Sequence, residues 1–239
     1  MSPSRDTRAP DTRDGVLDLL LGGSCLGCRA PGRVLCVTCR AGLPLLATPR
    51  WPSPTPPGLR TPYAVTAYDG VVRDLVIGHK ERGLVALRPV LGVLLACAVL
   101  AALEDRGAQG PVVLVPVPSR SASVRTRGRD ATREMTEAAA RVLREHPGGA
   151  RDVRVARLLG TRPGTVDQAG LDTGARWSNL AGSMACPSSV VRRLARRTPA
   201  AHVVVCDDVL TTGATLAEAQ RALGAAGITV LAHACVAAT

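Results

Sequence analysis

Two adjacent carboxylates, followed closely by small hydroxyl residues, are the most chemically specific feature of the chain. Val203-Val204-Val205-Cys206 leads into Asp207-Asp208, and Val209-Leu210 leads on to Thr211-Thr212-Gly213-Ala214-Thr215. The apolar run predicts a buried strand over 201–206, with the acid pair emerging at its end. Paired carboxylates are expensive to bury, so they are expected to face a polar ligand. As acceptors they suit the two hydroxyls of a ribose. Beyond them, Gly213 lets the backbone approach a phosphate, and the hydroxyls of Thr211, Thr212 and Thr215, with free amides at a helix start, can donate to it. Diol acceptors followed by a phosphate cup describe a ribose 5-phosphate. Two plainer readings compete. An apolar run ending in two Asp also resembles a Walker B element. That would require a Gly-x4-Gly-Lys-Ser/Thr loop, and the only lysine, Lys80, sits in Gly78-His79-Lys80-Glu81. A Thr-rich helix cap is also common for structural reasons alone.

A second cluster has metal-ligand spacing: Cys25-x2-Cys28-x7-Cys36-x2-Cys39. In a reducing compartment, two Cys-x2-Cys pairs predict a structural Zn²⁺ held by Cys25, Cys28, Cys36 and Cys39, with Gly27 allowing a tight turn. Two disulfides or a redox pair are the alternative. Cys97, Cys206 and Cys235 lie in apolar runs and read as core residues, and Cys186 stands apart. His79, His146, His202 and His233 show no metal spacing. Lys80 is the one basic position that is not arginine, which suits a site needing a compact ammonium; a solvated helix face is the alternative.

These groups must be positioned by an alternating pattern of elements. Strands are predicted over 63–68, 111–117, 153–159, 201–206 and 228–236. Helices are predicted over 71–81, 84–103, 132–145 and 214–226, and 160–182 is polar and Gly-containing. Such alternation implies α/β architecture, a parallel sheet covered by helices on both faces. Seven prolines between Pro44 and Pro62 exclude a helix or central strand there, so the stretch reads as a semi-rigid linker. The expected organisation is an N-terminal helix and four-cysteine element over 1–43, a linker over 44–62 and an α/β domain over 63–239.

The formal charge is +11, almost wholly from arginine, which implies a surface that attracts anions. The arginines of 120–133 and the group Arg192, Arg193, Arg196 and Arg197 could grip nucleic-acid phosphates, although such runs usually form solvated faces. Trp51 and Trp177 are too few and too separate for a base-stacking platform. The longest apolar run, 90–103, is shorter than the roughly 20 residues of a membrane span and reads as a core helix. With no leader pattern in the first residues, a cytoplasmic location without membrane insertion is expected.

Taken together, these motifs resemble the ComF family, which joins a four-cysteine element to a type I phosphoribosyltransferase-like domain and is associated with DNA uptake in competence. His79-Lys80-Glu81-Arg82-Gly83, Val115-Pro116-Val117-Pro118 and the loop at 206–216 carry the resemblance. Arg157, Thr161, Gln168, Gly170, Leu171, Arg176 and Asn179 follow in a family-like order. The resemblance implies that phosphoribosyl diphosphate (PRPP) is bound with Mg²⁺. Asp207 and Asp208 would serve the sugar, and Thr211, Thr212, Gly213, Ala214, Thr215, Ser119, Arg120, Lys80 and Arg127 would bind the phosphates. It also implies partners in an unknown acceptor of the sugar, single-stranded DNA or competence proteins. One segment departs from the pattern. After Arg127-Gly128, the family's Phe-Asn-Gln is replaced by Arg129-Asp130-Ala131, which removes an aromatic and an amide suited to an acceptor base. Three readings follow: phosphoribosyl transfer, a non-catalytic nucleic-acid-binding adaptor, and a PRPP-sensing regulator.

Overall fold

With no Phe and only two Tyr and two Trp, the interior has to be closed by Val, Leu and Ala, and its elements must approach closely. The computed structural model describes residues 23–119, 128–146, 152–162, 182–198 and 200–239. The chain divides into two compact units, Met1–Leu43 and Pro44–Thr239.

In the first unit, a turn at 26–28 and an isolated bridge between Ser24 and Pro31 lead to the short helix α1 (Val37–Ala41). The left-handed backbone conformations fall at Arg29 (φ 64°) and Gly32 (φ 110°), so the tight turn expected at Gly27 is completed by its neighbours. The helix expected ahead of the cysteines lies outside the described residues.

The second unit comprises β1 (Thr48–Pro49), β2 (Pro62–Ala67), α2 (Gly70–Lys80), a 3-10 turn (Val85–Leu87), α3 (Arg88–Asp105), β3 (Val112–Pro116), α4 (Ala131–Glu145), β4 (Val153–Val155), β5 (Gly160–Thr161), β6 (Met184–Ala185), α5 (Ser188–Arg197), β7 (His202–Leu210), α6 (Ala214–Gly224) and β8 (Val230–Ala238). Six strands form one sheet in the order β1-β2-β8-β7-β3-β4. The pairs β2–β8, β8–β7, β7–β3 and β3–β4 are parallel, and β1 runs antiparallel at the β2 edge. Helices α3 and α4 pack on one face. On the other, α6 packs with Val113, Val115, Val203 and Val205, and α5 adds Val190 and Leu194.

Helix α3 carries the long apolar run. By length and composition Val85–Asp105 could cross a membrane, but ten residues of α3 are buried in the fold, against the sheet and α4. Its crossing with α4 is close enough to need a glycine: a Cβ at Gly92 would stand 2.5 Å from Ala138 Cβ. Gly92→Ala is therefore expected to destabilise the protein by about 1–3 kcal/mol through overpacking, despite the better helix propensity of alanine. Chemical denaturation checks this, and unchanged or raised stability would show that the crossing tolerates a methyl group.

The structure departs from the expected elements at several places. Residues 44–62 belong to the second unit, and Thr48–Pro49 pairs with Tyr63 and Ala64. Prolines exclude a central strand but not an edge strand, whose outward N–H needs no partner. The strand expected over 153–159 is paired only at Val153–Val155, although Leu158 and Leu159 remain buried. A helix not expected, α5, turns Val190 and Leu194 inward and leaves Arg192, Arg193 and Arg196 exposed.

Candidate functional site

The loops after β3 and β7 leave the sheet in opposite directions. From β3 the chain crosses through α4 to β4 on one side, and from β7 through α6 to β8 on the other. Such a switch point opens a crevice at the carboxyl ends of the strands, where ligands of open α/β sheets bind.

Strand β7 does not end at Cys206. Its pairing with β3 stops at Pro116–Cys206, while its pairing with β8 continues through Asp207–Cys235 to Leu210–Ala238. The acid pair thus lies on the last part of β7, beside the end of β3. Asp208 Oδ2 meets Lys80 Nζ, from the end of α2, at 2.5 Å. Asp208 Oδ1 accepts from the Val209 amide at 3.0 Å, and Asp207 Oδ1 accepts from the Asp208 amide at 2.8 Å. The Asp208 side chain is 11% exposed and that of Lys80 38%.

Their electrostatics diverge. Burial raises the pKa of both acids. At Asp207 the neighbouring Asp208 charge and hydrogen bond add to it, and the carboxyl sits well above its ordinary value. At Asp208 the Lys80 ammonium outweighs burial and holds the carboxyl below its ordinary value. Burial likewise disfavours the Lys80 charge, but Asp208 and Asp207 outweigh it and hold the ammonium above its ordinary value. One acid is held ionised and the other resists ionisation, the usual outcome when two carboxyls share a site with one cation.

Beyond the acids the chain turns through Thr211 and Thr212 to Gly213, the N-cap residue of α6, whose φ of 73° is left-handed. Ala214 and Thr215 form the first turn of that helix. The Thr212 hydroxyl is 3.5 Å from the Ala214 amide. Gly213 has no side chain with which to cap the helix, so its first-turn amides face the turn. A Cβ at residue 213 would also stand 2.9 Å from Pro52 Cγ and 3.1 Å from Pro56 Cγ. The proline-rich stretch therefore backs this turn. It is secured by Gln220 of α6, which accepts from the Arg60 amide at 2.9 Å and donates to the Gly58 carbonyl at 2.8 Å.

Ser119, just past β3, donates to Asp130 Oδ1 at 2.8 Å, and the same oxygen accepts from the Arg133 amide at 3.2 Å to cap α4. Arg120 and Arg127, together with Arg125, lie outside the described residues, as do Gln168, Gly170, Leu171, Arg176, Asn179 and Trp177. The structure brings Lys80 onto Asp208 and gives Ser119 a capping contact.

Sequence reasoning missed a group beside these residues. Arg129 is 13% exposed on its side chain and pairs with Glu134, NH2 to Oε2 at 2.6 Å. It donates to the His79 carbonyl at 3.0 Å and approaches His79 Nδ1 at 3.0 Å. The same Arg129 nitrogen is 3.1 Å from His79 Nε2, so the guanidinium lies across the imidazole, and His79 Nε2 is 3.2 Å from the Ala131 carbonyl. Burial and the Arg129 charge lower the His79 pKa, which keeps the ring neutral. Burial works against ionised Glu134, but Arg129 outweighs it and holds the carboxyl below its ordinary value. The only sequence signal was the departure at Arg129-Asp130-Ala131 itself.

In the first unit, the sulfurs of Cys25, Cys28, Cys36 and Cys39 all lie within 4.8 Å of one another, and Cys28 Sγ is 3.7 Å from Cys36 Sγ. No pair is disulfide-bonded. Metal–sulfur bonds of about 2.3 Å at tetrahedral angles place sulfurs roughly 3.8 Å apart. The Cys36 amide donates to Cys25 Sγ and the Cys39 amide to Cys36 Sγ, each at 3.4 Å. Burial opposes a thiolate at Cys25, but amide donors from Cys36, Cys28 and Gly27 outweigh it and bring its pKa down to about 6. Hydrogen bonds with Cys36 and Cys25 push Cys39 up to about 12. Crowded sulfurs sharing protons in this way form a donor set compatible with zinc.

No protein-family profile matches the chain, and no curated protein sequence matches it.

Proposed function

We propose that the second unit binds PRPP with Mg²⁺, as a ComF-like protein of type I phosphoribosyltransferase-like fold, and that the first holds a structural Zn²⁺. The observation that carries this reading is the acid pair on the open end of β7, at the switch point, running directly into the left-handed turn of Gly213. Asp207 and Asp208 accept from the ribose diol. The amides and hydroxyls of 211–215 hold the 5-phosphate, and Ser119, just past β3, marks the side on which the diphosphate would lie.

In a transfer reaction the bond between C1 and the diphosphate oxygen breaks as an acceptor attacks C1, and the sugar passes through a cationic stage. Carboxylates on the diol stabilise that charge through the ring. Bound Mg²⁺ offsets the charge of the leaving diphosphate. The Lys80–Asp208 pair keeps Asp208 ionised, as an acceptor of the diol requires.

Titration calorimetry with PRPP and Mg²⁺ tests the reading. Saturable binding that falls on the order of 100-fold in Asp208→Asn is expected, the loss of a hydrogen bond to a charged group together with its ion pair. Absent binding, or binding unchanged by that substitution, would overturn it.

A further inference from the structure

Lys80 reaches Asp208 from the last residue of α2, a helix end with no covalent tie to the crevice. What holds that end is visible in the contacts around it. Arg129 donates through Nη1 to the carbonyl of His79, the residue before Lys80, its Nη2 lies across the His79 ring, and Glu134 clamps Nε and Nη2. Its neighbour Asp130 is bonded to Ser119, so the two ends of the loop between β3 and α4 are joined where Arg129 departs. A continuous path therefore runs from that loop through Arg129 and the end of α2 to Asp208. A planar guanidinium suits this role because it can engage the carboxylate, the carbonyl and the imidazole at fixed angles, which an ammonium cannot.

We propose that Arg129 is a positioning residue that acts through Lys80: it fixes the end of α2 so that Nζ meets Asp208, and so couples the loop after β3 to the acid pair on β7. The importance of Asp208 to a ligand rests on the PRPP reading, but the coupling itself does not.

Because Lys80 is the only lysine, its reactivity can be read without any ligand. Its acylation by a water-soluble active ester, located by peptide mass spectrometry in the full chain, reports how firmly Nζ is held. Arg129→Gln is expected to speed acylation on the order of 10-fold, the factor for one unit of amine pKa. In an Asp208→Asn background, where the ion pair that Arg129 would position is already gone, the same substitution should add little. An unchanged rate, or an equal acceleration in both backgrounds, would overturn the proposal, since general loosening would not depend on Asp208. If Arg129→Gln does not fold, Glu134→Gln frees the guanidinium from its clamp and is scored by the same cycle. PRPP titration of these variants separates the two readings. A non-additive acylation cycle with no PRPP binding by the wild type leaves the coupling standing and removes the ligand, and PRPP binding with an additive cycle does the reverse.

Discussion

Asp207→Asn is expected to melt at a higher temperature than the wild-type chain at neutral pH while losing its affinity for PRPP. The two effects have one cause. The native pKa of Asp207 lies well above its ordinary value of 3.8, so the carboxyl favours the fold only while protonated. That contribution is complete below about pH 4 and is lost as pH rises through the raised native value. An asparagine never ionises and keeps the neutral state throughout. The gain should therefore be absent near pH 4 and grow with pH. Each kcal/mol gained in this way raises the melting temperature by roughly 2–4 °C for a chain of this size. A diol, by contrast, requires the acceptor that asparagine only half supplies, and binding should fall on the order of 100-fold. Asp208→Asn should behave oppositely. Its carboxyl is held below the ordinary value, so it contributes stability above that value and loses it as pH falls through the lowered one. Its removal also breaks the ion pair with Lys80 and lowers the melting temperature at neutral pH. Thermal melts from pH 4 to 8 with and without PRPP check both, and equal melting of wild type and Asp207→Asn at all pH values would refute the cost of ionising Asp207.

The largest effect is expected in the first unit. Metal analysis should find one Zn²⁺ per chain, and chelation should abolish protection of 23–43 against proteases and hydrogen exchange. Among the described residues of that unit, 23–43, the buried apolar side chains besides Cys25 are Leu26, Val34, Leu35 and Leu43, too few to order that segment on their own without a crosslink. Apparent zinc affinities of structural tetrathiolate peptides are roughly 10–16 kcal/mol at pH 7, and in such segments that energy is folding energy. Cys36→Ser removes a ligand that also accepts the Cys39 amide and should mimic chelation. Retained protection after metal removal, or no bound metal, would show that the sulfur cluster is held by the chain alone.

The path from sequence to site was clear where periodicity and chemistry coincided. Val203, Val204 and Val205 are buried on both faces, as a central parallel strand requires, and the helix starting at Ala214 follows its glycine directly. The apolar pattern of this strand stops at Cys206, where carboxylates interrupt it. Pairing with β8 carries the strand on to Leu210, since hydrogen bonding between strands is indifferent to side chains. The predicted helix over 84–103 divides where Pro89 sits in the first turn of α3, a position proline favours. Helix α5 escaped notice because only Val190 and Leu194 mark its inner face among arginines. Arg129 could not be found from spacing, because its partners, His79 and Glu134, lie on different helices and meet only in three dimensions.

The antiparallel pairing of β1 with β2 has a consequence for how the protein avoids itself. A strand as apolar as Tyr63-Ala64-Val65, left at the border of a sheet, would offer its free amides and carbonyls to any other extended chain. Thr48–Pro49 occupies part of that border, and its own outer rim presents a proline that cannot donate. The stretch that backs the turn at Gly213 through Pro52 and Pro56 is thus also a guard against edge-to-edge aggregation, and the chain obtains both from one short run of prolines.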